Sequence, residues 1–132
     1  MRSLLSHNKE LAAQLHIIHQ VGNNNTAEYQ TFYQQHNVVS AHVFSFYDKI
    51  EEYYQRADIV LCRAGAGTLF ELLFFEKPAI IIPLQAPTTQ HQVANAQEIV
   101  RKRPDLFSVI YQRSLAQTTD ALELKITTLL SE

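Results

Sequence analysis

Two glycines and one carboxylate define the chemistry open to this chain. In Arg63-Ala64-Gly65-Ala66-Gly67-Thr68 the glycines alternate with small residues, and Glu71 follows four positions after Gly67. Glycine permits backbone angles that other residues avoid, and it lets another molecule come close. If a helix starts here, its first N–H groups are unpaired and carry partial positive charge, which suits a phosphate. The same pattern also fits a plain strand-to-helix junction, because short glycine motifs match often. Glu71 is the lone charge among Leu69, Phe70, Leu72, Leu73, Phe74 and Phe75. On a helix it shares a face with Gly67, one turn further along. A carboxylate there is costly to bury without a partner. It can accept hydrogen bonds from a ribose diol, or it can simply reach solvent.

Three further groups are candidates. Gln90-His91-Gln92 and Asn95 place neutral amides and an imidazole near a helix start, with His91, Gln92 and Asn95 on one face. Such groups both donate and accept, as sugar hydroxyls require; a polar first turn facing solvent would look the same. Phe44-Ser45-Phe46-Tyr47 can flank a nucleobase, or Phe44 and Phe46 can pack inward. Arg63 can support phosphate charge or pair with a carboxylate. His19, inside an apolar strand, reads as structural, and Cys62 as a buried inert thiol.

The elements that would position these residues alternate between strand and helix. Helices are expected over 3–14, 26–35, 48–56, 66–76, 89–103 and 118–130, and strands over 15–21, 38–43, 59–62, 79–82 and 106–111. The helix after Gly67 is apolar nearly all round, which predicts that it is well buried. Alternation of this kind implies a parallel sheet with helices on both faces, an α/β Rossmann-like domain. In such sheets ligands bind beyond the C-terminal strand ends. That edge carries the loops at 20–25, 44–47, 63–68 and 83–91.

Composition narrows the classes. The 132 residues are expected to form one domain over 1–132, and 46% hydrophobic against 18% charged argues against disorder. A formal charge of -2 offers no electrostatic case for nucleic acid. The single Cys excludes an internal disulfide, and the six His form no metal-binding pair, so no metal or cofactor is expected. No apolar run reaches the ~18 residues of a membrane span, and the N-terminus does not read as a signal peptide; a reduced, cytoplasmic setting is expected.

Taken together, these residues resemble the C-terminal, donor-binding half of the MurG-like glycosyltransferases of family 28. The resemblance is carried by His19-Gln20-Val21-Gly22, Phe46-Tyr47-Asp48 and the run Ala57 to Thr68 with Glu71. Lys77-Pro78-Ala79 to Pro83 and His91-Gln92-Val93-Ala94-Asn95-Ala96 complete it. It covers nearly the whole chain. It implies the C-terminal half of a GT-B fold that binds UDP-N-acetylglucosamine. The implied reaction is inverting transfer of N-acetylglucosamine to undecaprenyl-pyrophosphoryl-MurNAc-pentapeptide, lipid I to lipid II, in peptidoglycan synthesis. It further implies that the Tyr47 backbone contacts uracil, Glu71 the ribose, 64–68 the diphosphate, and His91 and Gln92 the sugar.

The family's acceptor domain, with its membrane-association surface and proposed base, has no counterpart in this sequence. Catalysis by this chain alone is therefore not expected, and an acceptor-binding domain or partner chain would bring the lipid-linked acceptor at the cytoplasmic membrane face. The alternatives are the soluble donor subunit of a two-chain transferase and a non-catalytic UDP-sugar-binding remnant. The family's first strand is also expected to be missing. In the order 3-2-1-4-5-6 that strand is central. The strands from Leu15 and from Ile59 must then pair directly, leave open edges, or receive a strand from elsewhere.

Overall fold

The computed structural model describes residues 2–22, 25–46 and 49–131. The chain divides into two compact units, residues 1–53 and 54–132. Both are built from parallel strands flanked by helices.

The first unit opens with two short helices, α1 (Arg2–His7) and α2 (Lys9–Ala12), where one helix is expected from sequence. Asn8 makes the break. Its backbone leaves the helical region, and its side chain accepts a hydrogen bond from the Leu11 N–H at 2.9 Å, capping the second helix. Asn competes in this way for backbone donors wherever a cap can form. Leu4, Leu5, Leu11 and Ala12 from the pair are buried. Strand β1 (His16–Gln20) then pairs in parallel with β2 (Ser40–Phe44), in register from His16 opposite Ser40 to Gln20 opposite Phe44. The crossover is α3 (Thr26–Gln35), whose one buried residue is Tyr33. The Tyr33 hydroxyl lies 2.9 Å from Nδ1 of His19, and the Tyr29 ring meets the same imidazole edge-on at 4.7 Å. His19 is thus held inside the unit, as its strand position predicts.

Helix α4 (Glu51–Arg56) leads into the second unit, whose sheet order is β3 (Val60–Cys62), β4 (Ala79–Ile81), β5 (Phe107–Val109). All pairings are parallel. The central strand β4 is buried along its whole length, which accounts for its unbroken apolar run. Helix α5 (Ala66–Phe75) connects β3 to β4, and α6 (His91–Lys102) connects β4 to β5. A short 3-10 turn over Pro87–Thr89 precedes α6. The core joins Ala64, Leu69, Leu72, Ala79, Ile81, Ala96, Ile99 and Phe107. The chain ends with α7 (Gln112–Gln117), which no apolar periodicity announces, and α8 (Asp120–Leu130), which buries Leu122 and Ile126.

The strands hydrogen-bond as two sheets, β1-β2 and β3-β4-β5. One expectation is corrected here. Helix α5 is not buried all round. Leu69 and Leu72 face the core, whereas Phe70 and Phe74 stay 72% and 75% exposed. A helix laid on one face of a sheet buries one stripe, whatever residues fill the other.

The C-terminal end of α5 is tied down by charge. Glu76 caps it in the left-handed region, at φ 52°. Its carboxylate accepts from Nη1 of Arg103 at 3.0 Å, and the same guanidinium grips Asp105 through Nε at 3.0 Å and Nη2 at 2.9 Å. Hydrogen bonding to Arg103 holds the Asp105 carboxyl below its ordinary range.

Candidate functional site

The second unit brings together the glycine turn, Glu71 and the start of α6. Strands β3 and β4 end side by side, with the Ile82 N–H donating to the Cys62 carbonyl at 2.8 Å. Beyond that point they separate, β3 into the turn and β4 into the 83–90 loop. Arg63 is exposed and donates from Nη1 to the Ile82 carbonyl at 3.3 Å. It therefore braces the split between the strands, a role neither sequence alternative anticipates. Ala64 is fully buried. Cys62 is pushed up to about 12 by burial, so it remains a neutral thiol at ordinary pH.

The turn differs from the expectation in one respect. Gly65 caps α5 with φ -68° and ψ 143°, ordinary extended backbone, and the only glycine at positive φ among the described residues is Gly22. The glycines are not there for unusual angles. What they provide is room: a Cβ built on Gly65 or on Gly67 meets nothing within 4 Å. No side chain caps the helix. The N–H groups of Ala66, Gly67 and Thr68 sit in the first turn, where a helix has no intrahelical acceptor to offer. The result is an open, positively polarised helix start with no side chain over it, a surface that suits an anionic oxygen.

This openness makes a separable prediction. Gly67→Ala is expected to stabilise the protein by about 0.4–1 kcal/mol, because alanine loses less backbone entropy and meets no protein atom. The same methyl would stand where a phosphate approaches, so UDP affinity should fall as the melting temperature rises. A melting curve and a titration on one sample check both; affinity that stays unchanged means nothing packs over Gly67.

Glu71 is half-buried one turn above the glycines. Tyr54 of α4 lies beside it. Burial, reinforced by the Glu71 charge, raises the Tyr54 phenol well above its ordinary value. The Tyr54 ring is fixed by stacking on Phe75 at 5.5 Å and 14°. An ionised carboxylate has about four acceptor sites, enough for both hydroxyls of a diol. Tyr54 has no motif around it, and only its packing identifies it.

The start of α6 brings His91, Gln92 and Asn95 onto this unit, His91 exposed and the two amides half-buried. Gln92 Oε1 accepts from the Ala64 N–H at 3.3 Å and from the Leu84 N–H at 2.9 Å. The loop before α6 is closed by Thr89, whose hydroxyl donates to the Leu84 carbonyl at 2.8 Å and accepts from the Ala86 N–H at 3.1 Å. Thr89 is a second residue that sequence reasoning passed over. A shallow depression of about 460 Å³, lined by Gln85, Ala86, Pro87, Gln90 and Val93, flanks this loop but includes neither the glycine turn nor Glu71.

The aromatic candidates belong to the first unit. Phe44 is half-buried and stacks on Tyr53 at 5.2 Å, so it packs inward, whereas Phe46 is 76% exposed. Tyr47, with Asp48, lies outside the described residues. Among the described residues no group of three or more His, Cys, Asp or Glu could hold a metal ion, and no helix is long and apolar enough to cross a membrane.

Known proteins resemble this chain in sequence and in fold. The family model of the glycosyltransferase family 28 C-terminal domain matches residues 1–132. The UDP-N-acetylglucosamine--N-acetylmuramyl-(pentapeptide) pyrophosphoryl-undecaprenol N-acetylglucosamine transferase of Geobacter metallireducens is 36% identical over 112 residues, covering 85% of this chain and 30% of that protein. The transferase of the same name from Myxococcus xanthus is 37% identical over 117 residues, covering 86% of this chain and 30% of that protein. The crystal structure of Acinetobacter baumannii MurG superposes with a TM-score of 0.74 at 27% identity, over 97% of this chain and 37% of that one. This chain thus spans about a third of the length of the proteins it matches. With the glycine turn, the α5 carboxylate and the α6 amides set in a matching fold, the chain belongs to the glycosyltransferase family 28 C-terminal domain family.

Proposed function

We propose that this chain binds UDP-N-acetylglucosamine as the donor-binding part of an N-acetylglucosaminyltransferase. The acceptor is the one in the relatives' name, N-acetylmuramyl-(pentapeptide) pyrophosphoryl-undecaprenol. The observation that carries the reading is the open, uncapped start of α5 with Glu71 one turn above it. The first holds a diphosphate; the second accepts from the ribose hydroxyls. Arg63 and the backbone of Ala64, Gly65, Ala66, Gly67 and Thr68 surround the diphosphate. His91, Gln92 and Asn95 serve the sugar hydroxyls, which need donors and acceptors rather than charge.

The reaction is displacement at the anomeric carbon with inversion. The acceptor oxygen forms a bond to that carbon as the carbon–oxygen bond to the diphosphate breaks, and the electron pair leaves with UDP. This chain's share is electrostatic. Charge grows on the departing diphosphate, and fixed N–H dipoles at the α5 start stabilise it without reorganising. The acceptor and its base are supplied by the acceptor-binding part, which also brings the assembly to the cytoplasmic membrane face. The named relatives are single chains of which this one spans 30%, which favours one continuous transferase over a separate donor subunit.

Calorimetric titration with UDP-N-acetylglucosamine, UDP and GDP tests the reading. Both uridine nucleotides should bind and GDP should bind much more weakly. Failure of both uridine nucleotides to bind a folded sample would sink it.

A further inference from the structure

The point where β3 and β4 part is closed by a side chain from a third element. The last backbone bond between them is Ile82 N–H to Cys62 carbonyl, at 2.8 Å. Two residues further along each segment lie Ala64 and Leu84. Their N–H groups can no longer reach the opposite strand, and both turn to one atom, Oε1 of Gln92, at 3.3 and 2.9 Å. A carbonyl oxygen has two lone pairs, so this one is fully engaged. The requirement is strict for Ala64, which is 0% exposed and has no access to water for its donor.

We infer that Gln92 is a positioning residue, whose amide oxygen sets the gap between the glycine turn and the β4–α6 loop and whose amide nitrogen is the part left for ligand. This rests on the reading that the turn holds a diphosphate. With Oε1 committed to two donors, the flip state of the amide is determined, and Nε2 is a pure donor. Nε2 has no partner among the described residues. No buried side-chain nitrogen or oxygen among them lacks one either, so Nε2 reaches solvent. The ligand atom it meets must be an acceptor, a hydroxyl or carbonyl oxygen of the sugar or a phosphate oxygen. One side chain then couples the two halves of the donor: whatever Nε2 binds is held at a set distance from the turn.

The coupling separates this role from that of a simple sugar contact. A contact residue affects UDP-N-acetylglucosamine alone, whereas a residue that shapes the turn also affects UDP. In Gln92→Ala the Ala64 and Leu84 amides should lose their protection from hydrogen exchange, read residue by residue by NMR. UDP affinity should fall roughly tenfold, the scale of one lost hydrogen bond. Gln92→Glu keeps an acceptor oxygen in place and should restore protection at both amides. If the alanine variant does not fold, Gln92→Met preserves the stem and removes the acceptor. Unchanged exchange at both amides, or loss of UDP-N-acetylglucosamine affinity with UDP affinity intact, overturns the inference. Altered exchange in a protein that never binds UDP would support the clamp and defeat the nucleotide reading instead.

Discussion

Glu71→Ala should weaken UDP binding by about 1.5–3 kcal/mol, the range for hydrogen bonds to a charged group. The carboxylate sits half-buried on α5, one turn above the glycines, where the ribose would follow the diphosphate. Beside it stands Tyr54, whose ring is pinned on Phe75. Glu71→Gln keeps the shape and removes the charge, so its loss should be smaller. Calorimetry on the two variants at one salt concentration ranks them. If Glu71→Ala binds UDP as well as the parent does, the ribose assignment is wrong.

The next residue in the helix predicts a different loss. Leu72 is 0% exposed and lies in the core with Ala64, Leu69, Ala79, Ile81 and Phe107. Leu72→Ala removes its packing and leaves a cavity, so it should destabilise the protein by about 2–5 kcal/mol. Against a total of about 5–15 kcal/mol for a typical domain, that is a large fraction. Phe74, on the opposite side of α5 and 75% exposed, provides the contrast. Its change to alanine should stay within about 0.5 kcal/mol, as for most surface substitutions. Urea unfolding measures both. Similar midpoints for the two variants would mean that α5 does not pack as described.

The comparison of Leu72 with Phe74 shows where sequence reading stops. Six apolar residues among seven around Glu71 give no periodicity, so nothing in the string says which stripe meets the sheet. The sheet decides it, by covering one face. The glycines mislead in the same way. Their type suggested unusual backbone angles, yet Gly65 is extended and the pair serves by leaving space, a property of what surrounds them. The break at Asn8 depends on one side chain capturing a backbone donor, which competes closely with a continuous helix.

By itself the sequence determined the five strands and their alternation with helices, the α/β class, the junction before Glu71 and the family to which the chain belongs, but neither the split at Asn8 nor α7. These follow from local runs, turn residues and a continuous motif, information held within a few neighbouring positions. Tertiary structure alone decided that the strands form two hydrogen-bonded sheets, that Tyr54 packs beside Glu71, and that the oxygen of Gln92 is bonded to the backbone of Ala64 and Leu84. Each of these joins residues far apart in the chain. Hydrogen-bond donors and acceptors are chosen by which groups folding leaves unpaired and within reach, and that is known only once the elements have packed.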